Sequence, residues 1–483
     1  MSIVLALLSV PVASAGRADV GGYFRVAARP DLQGGSGRLG YWNLYGRLMN
    51  EGSYGMVELR YDVLEPSGDA PWTTLHARFE GGSIAGADPG NGFLDAFRMS
   101  QVFIESGNVG VNDVTWRVGT LEYFFGDMGL YDMRPATLFF QTVGASARYQ
   151  SDHAEVLVGL GDAGYGLRGA RYSAIPTVGA AARIRVPHFE VGAGGEVRYE
   201  PGVKGSVNAP YQTPNVEYED WVRGEVAERY QQERPGLEDF FYDPEARQSV
   251  SYNAVGYLGF GGVGPLRWNN LFLRYGRAHP DTFTEESLGG KPLQIFVHDF
   301  TDERTMLMLG NEMQLKLVPD KLDAAWGILY GDHTDGDNTI SPSDHARWYA
   351  STVVRLQAYA TPTLHVLAEG AIAREVSKNG NAFREHADSI FRNTGGMPDA
   401  RGLELGDSDT RDTAQLKGGL VINPLGPGVF ARPSLRALYG VQFSSQNNAF
   451  GNAFVEELDQ YNEFGTVEQH VHHLLALEAE VWF

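Results

Sequence analysis

The chain has no cysteine, so disulfide frameworks, thiolate zinc sites, iron–sulfur clusters and catalytic thiols are all excluded. Basic residues are in short supply: 39 Lys and Arg stand against 60 Asp and Glu, a formal charge of −21. A chain this acidic repels polyphosphate, which argues against nucleic acid as a partner. Long apolar runs are scarce as well. The longest, Met1 to Ala15, is shorter than the roughly 18 residues a membrane-spanning helix needs. It ends in Ala13-Ser14-Ala15 and reads as a secretory signal peptide, although no Lys or Arg precedes it. The expectation is an exported protein in which residues 1–15 are removed and 16–483 form one domain.

Helical periodicity is the last thing missing, and period-two alternation takes its place. Val57, Leu59, Tyr61 and Val63 oppose Met56, Glu58, Arg60 and Asp62, and Leu435, Ala437, Tyr439 and Phe443 oppose Arg436 and Gln442. The stretch 42–48 alternates in the same way, with Trp42 and Leu44 on one face and Tyr45 and Arg47 on the other. About eighteen or nineteen such segments run from residue 22 to the end, separated by Gly, Pro, Asn and Asp. A soluble sandwich also alternates, so three details select the architecture. The polar faces carry repeated charges, as a water-filled lumen requires. Aromatics such as Tyr23-Phe24, Tyr41-Trp42, Tyr123-Phe124-Phe125, Phe139-Phe140 and Trp482-Phe483 fall at segment ends, where interfacial girdles lie. The chain also stops on an alternating strand with a terminal aromatic, the form in which outer-membrane barrels meet their assembly machinery. The reading is all-β: a transmembrane antiparallel β-barrel of about 18 strands, of outer-membrane porin type.

Connections divide into short turns, such as Asn50-Glu51-Gly52 and Pro424 to Gly428, and long polar stretches at 200–248, 278–304, 374–414 and 444–473. The span Glu217 to Arg247 holds ten carboxylates with Trp221, Tyr230, Phe240, Phe241 and Tyr242 among them. It reads either as a loop folding over the mouth or as a solvated acidic loop.

Several apparent motifs carry no chemistry. Gly159-Leu160-Gly161-Asp162-Ala163-Gly164 matches a dinucleotide fingerprint but has no helix after it to hold a pyrophosphate, so it reads as a turn. His470, His472 and His473 lie where a polar loop enters the last strand, and Asp332, Asp335 and Asp337 miss calcium-loop spacing. No nucleophile elbow, metalloprotease helix or phosphate loop occurs, so neither an enzyme nor a cofactor is expected.

Some segments go beyond generic barrel pattern. Gly22-Tyr23-Phe24-Arg25, then Arg38-Leu39-Gly40 with Tyr45, then Ala96-Phe97-Arg98, Trp116-Arg117-Val118-Gly119, Tyr123, Asp127 and Asp132, and finally Ala431 to Arg436 with Glu480-Val481-Trp482-Phe483, stand in the order seen in the maltoporin family of carbohydrate porins, which the chain resembles. The resemblance implies an eighteen-stranded homotrimeric barrel in outer-membrane lipid, with a slide of lumen aromatics guiding small sugars or oligosaccharides past a charged track. By position, Tyr23, Tyr45 and Trp482 correspond to slide aromatics, and Arg25, Arg38, Arg98, Asp127 and Asp132 to the track. Arg47 stands where the family has a track Glu and Arg134 where it has a constriction Tyr. The slide Trp before a Thr-Pro becomes Ala360, with Tyr359 as its substitute, and Phe125 replaces a track Arg. These departures leave the sugar open. The function expected is passive diffusion of carbohydrates; the competing readings are a general or ion-selective porin and a secreted soluble all-β enzyme or adhesin.

Overall fold

The computed structural model describes residues 16–30, 39, 43–81, 97–164, 174–200, 203–204, 245–246, 248–277, 284–288, 291–295, 304–335, 347–378, 410–445 and 470–483. The signal segment, Arg38 and most of the acidic stretch 217–247 lie outside them. Eighteen strands form one antiparallel sheet. The first six are β1 (Arg17–Ala28), β2 (Tyr54–Leu64), β3 (Trp72–Gly81), β4 (Phe97–Gly107), β5 (Val114–Thr120) and β6 (Val143–Gln150). Then come β7 (Ala154–Asp162), β8 (Pro176–Val186), β9 (Phe189–Glu200), β10 (Ser249–Val263), β11 (Leu266–Arg277) and β12 (Arg304–Val318). The last six are β13 (Leu322–Asp335), β14 (Arg347–Tyr359), β15 (Leu364–Ser377), β16 (Thr410–Ile422), β17 (Ser434–Ser444) and β18 (Val471–Trp482). Each strand pairs with its neighbours in sequence, and β1 pairs with β18, Tyr23 opposite Trp482 and Arg25 opposite Glu480. That pairing closes the sheet and leaves no edge. The Gly159-Leu160-Gly161 run lies within β7, with a turn following it at 163–164.

Strand alternation sorts the side chains as the sequence predicts. The outer surface bears Val20, Val26, Leu160, Val178, Ile372 and Leu420, all exposed, a face suited to hydrocarbon rather than water. Near the rim that holds both chain ends, Tyr61, Trp116, Tyr149, Phe189, Phe260 and Phe483 point outward; near the opposite rim stand Tyr199, Tyr275 and Phe443. These rows bracket the apolar band as interfacial aromatics do. Phe24 stacks on Phe483 in the outer row at 5.9 Å. Tyr23, Phe125 and Phe139 depart from the expected girdle and are buried inside the barrel. Tyr23 points away from Phe24 because adjacent strand residues face opposite ways, whereas Phe125 and Phe139 belong to the 121–142 connection and not to wall strands.

The long connections all leave one rim, and the short turns leave the other. Among the described residues, two of the connections on the long-connection rim fold inward. The first corrects the expected strand at 42–48: Asn43–Tyr45 is a single 3-10 turn, and the chain from 43 to 53 lies in the lumen rather than in the wall. Asn50-Glu51-Gly52 is thus part of an inward segment and not a hairpin turn. Leu39, Leu48 and Met49 pack on Leu367, Val421, Leu438, Leu474 and Ala476 of the wall. Asn50 Nδ2 donates to Gln415 Oε1 at 3.0 Å, and Lys417 Nζ donates to the Tyr45 carbonyl at 2.8 Å. The second inward segment is 121–142, where a two-residue pairing, Tyr123–Phe124 with Thr137–Leu138, supports a hairpin-like loop. Its Leu121, Phe125, Met128, Leu130, Tyr131 and Phe139 form an apolar core with lumen-facing wall residues. Each such side chain contributes about 1.5–3 kcal/mol on burial.

Wall glycines make room for these side chains. A Cβ at Gly192 would lie 2.4 Å from Phe125, and one at Gly327 would lie 2.7 Å from Tyr131. Glycine inside a strand often marks such a close approach. Glu312 of β12 anchors the loop's tip, accepting hydrogen bonds from the backbone N–H groups of Gly129 and Leu130, both at 2.8 Å.

Candidate functional site

Between the 121–142 loop and the wall lies a cavity of about 830 Å³. The β1–β18 seam supplies its first feature, because the Tyr23–Trp482 register puts two aromatic side chains side by side on the lumen face. Their ring centroids are 4.7 Å apart and tilted by 42°, and Tyr54 of β2 continues the strip at 5.9 Å from Tyr23. Trp482 keeps 51% of its surface accessible, so a ring face remains open to the cavity. A second aromatic pair, Trp268 of β11 and Phe430, also lines the cavity, with centroids 6.1 Å apart. Phe430 belongs to the 423–433 connection, the longest on the short-turn rim, whose Pro424 to Gly428 start reads in sequence only as a turn.

Beside the aromatic strip sits a network of five guanidiniums and four carboxylates: Arg25, Arg29, Arg47, Arg432 and Arg436 with Glu51, Asp132, Glu478 and Glu480. Glu480 is its hub. It pairs with Arg47, with Arg436 Nη2 at 2.6 Å and with Arg432 Nε at 3.2 Å, and it accepts the Tyr23 hydroxyl at 2.7 Å. Arg47 Nη2 also donates to the Tyr23 oxygen at 3.1 Å. Arg25 pairs with Glu51, reaches Asp132 at 3.3 Å and donates through Nε to the Gly52 carbonyl at 2.9 Å. The network joins β1, β17 and β18 to both inward segments, and buried charges in such an arrangement are tolerable only because each has partners.

Asp132 reaches this network from a tight turn closed by Met128 and Met133, with φ of +51°, a left-handed conformation that Asp accepts more readily than most residues. Its side chain remains 46% accessible to the cavity. Burial of the site works to raise its carboxyl, but Arg47 and Arg25 outweigh that and hold it well below the usual carboxylate range. Glu51 behaves in the opposite sense: burial, reinforced by neighbouring Asp132, pushes its carboxyl up to about 7 despite Arg25 and Arg47.

Across the cavity Arg134 lies over the Phe124 ring at 4.1 Å and 3.7 Å from Glu122. Arg78 stands 3.4 Å from Glu80 and 3.9 Å from Glu122. Asp127 is exposed on the lining.

Of the residues singled out from sequence, Tyr23, Arg47, Asp127, Asp132, Arg134 and Trp482 line this one cavity, and Arg25 supports it from behind. Tyr45 lies elsewhere: it is fully buried within the first inward segment, its hydroxyl donating to Glu375 Oε2 at 2.6 Å. Tyr359 does face the lumen but near the short-turn rim, donating to Asp323 at 2.9 Å. Arg98 occupies β4 opposite Glu80. Sequence reasoning misses Tyr54, Trp268, Phe430 and Arg432 as parts of one site, although period-two alternation already puts Tyr54 and Trp268 on lumen faces.

No family model and no curated protein matches the chain. Among solved structures it is similar to the outer-membrane channel DcaP of Acinetobacter baumannii, at 9% identity over 98% of this chain and 99% of that one, with a TM-score of 0.45. It is also similar to an anion-selective porin from Comamonas acidovorans, at 12% identity over 97% and 100% of the two chains with a TM-score of 0.42. A third similar structure is OccK10 (OpdN) of Pseudomonas aeruginosa, at 11% identity over 97% and 99% of the chains with a TM-score of 0.39.

Proposed function

We propose that the chain is an outer-membrane channel for passive diffusion of small hydrophilic solutes, with carbohydrates as the preferred class. One observation carries this reading: inside a closed barrel with an apolar exterior, an aromatic strip, Tyr54–Tyr23–Trp482, and paired charged groups line the same cavity. Pyranose rings have apolar faces that stack on aromatics and equatorial hydroxyls that hydrogen-bond to guanidiniums and carboxylates. A wet cavity offering both holds a sugar briefly without trapping it. The maltoporin resemblance at Tyr23, Arg25 and Trp482 points the same way, and a homotrimer delivered by the barrel assembly machinery is part of the same proposal. The inward segments supply a constriction, so flux is governed inside the lumen.

Planar-bilayer recording tests the reading. Sugars are expected to interrupt ion current reversibly, with saturating dissociation constants in the micromolar-to-millimolar range. If no member of a broad sugar panel interrupts the current, the carbohydrate assignment falls and a general porin remains. Retention in the membrane fraction after carbonate wash, with a mobility shift on boiling, is expected of the closed barrel; release by the wash would return the chain to the soluble class.

A further inference from the structure

The cavity is not neutral in the groups it leaves available. Most of its carboxylates are already engaged: Asp132 by Arg25 and Arg47, Glu122 by Arg78, Arg134 and Gln101, and both oxygens of Glu312 by backbone N–H groups. Three guanidiniums, by contrast, are fixed at one side and open at the other. Arg432 is held through Nε by Glu480 and lies against the rings of Tyr23 and Trp482, its carbon 5.5 and 5.7 Å from their centroids. Arg274 is held through Nε by Asn253 Oδ1 at 3.1 Å. Arg134 is held by the Phe124 face and only distantly by Glu122. Among the described residues no hydrogen-bond acceptor takes Nη1 or Nη2 of Arg432 or Arg274, and of Arg134 only Nη1 is paired, 3.7 Å from Glu122; all three side chains line the cavity. On the same lining Glu58 stands 4.0 Å from Arg78 and Asp127 is the carboxylate left open among the described residues, so open cationic forks outnumber open anions.

We infer, resting on the channel reading above, that this site prefers an acidic sugar of the uronate type: the pyranose face stacks on the open side of Trp482 while the sugar carboxylate is taken by the Arg432 fork. Arginine suits this role because its planar donors match a carboxylate in pairs, and its Nε contact with Glu480 orients the fork before the solute arrives. Arg134 and Arg274 line the same cavity and add to the positive potential that draws an acidic solute into it. Burial, with Arg47 nearby, brings the Arg432 guanidinium down to about 10, which leaves it charged at neutral pH.

Three probes separate the contributions in a planar bilayer: glucose carries the ring without charge, gluconate the charge without the ring, and glucuronate both. The expected result is block by glucuronate at about tenfold lower concentration than by either other probe, an advantage that shrinks in molar salt. Arg432→Gln is expected to bring glucuronate within about threefold of glucose. Should that variant not form a heat-shifting barrel, Arg134→Gln and the wild-type comparison carry the test. Block by glucose with no advantage for glucuronate overturns the inference and leaves the carbohydrate channel standing. Absence of block by any of the three overturns the inference, and absence of block by the wider sugar panel as well overturns the carbohydrate reading with it. A glucuronate advantage undiminished in both variants overturns the assignment to these arginines.

Discussion

Neutralising Glu480 is the most informative single perturbation. Glu480→Gln preserves side-chain shape but removes the charge that pairs with Arg47, Arg432 and Arg436 and accepts the Tyr23 hydroxyl. The residue is buried, so water does not replace the lost partner. Removing one member of a buried charge network costs about 3–5 kcal/mol, because the remaining charges are left uncompensated. The glutamine oxygen still accepts from Tyr23 or one guanidinium, which puts the expectation near the lower end, about 3 kcal/mol. Urea unfolding of the barrel refolded into lipid vesicles, followed by tryptophan fluorescence, measures this directly. Reversal potentials under a salt gradient give a second reading, since the lumen loses one negative charge and selectivity is expected to move towards anions. An unfolding free energy within about 0.5 kcal/mol of wild type, with unchanged reversal potential, would refute the role of Glu480 as shared counterion.

Trp482→Ala is expected to weaken sugar block by about 1–2 kcal/mol, the range of an aromatic contact, whereas Tyr45→Phe, whose hydroxyl serves Glu375 away from the cavity, is expected to leave block unchanged. Equal effects in the two variants would contradict the placement of the site. Glu51 gives a pH dependence: its folded carboxyl is raised to about 7 above an ordinary 4.5, so between those values the folded state binds more protons than the unfolded one. Stability contributed by this residue therefore falls as pH rises from about 4.5 to 7, and Glu51→Gln is expected to flatten unfolding curves across that window. Gly192→Val places a side chain where Phe125 now packs. It is expected to displace the 121–142 loop, at a cost of about 1–3 kcal/mol, and to raise single-channel conductance; a well-folded variant with wild-type conductance would show that the loop does not set the constriction.

Much of the wall is legible in sequence because a strand with water on one side and lipid on the other must alternate with period two. Val57 to Val63 and Leu435 to Phe443 have the faces their pattern assigns. The same rule misreads residues 43–48, since a short segment packed between barrel wall and lumen also presents an apolar and a polar side, and alternation over six or seven residues does not distinguish that environment from a strand. Tyr45 shows the consequence. Its spacing matches a lumen aromatic, yet its 3-10 turn carries it into a closed packing site.

By itself the sequence determines a closed antiparallel sheet, its strand number to within about two, and the lumen face on which Tyr23, Arg25 and Trp482 lie. Those properties are local, set by the pleat and by transfer of side chains between two solvents. Which side chains share a site was decided only by tertiary structure. Arg47 and Asp132 are 85 positions apart in the chain and meet 3.7 Å apart because two separate connections fold into one lumen. Phe430 and Arg432 reach the same cavity from the opposite rim. The barrel brings such pairs together through strand register and through glycine sockets such as Gly192 and Gly327 that admit inward side chains, and neither leaves a periodic trace around the residues that finally touch.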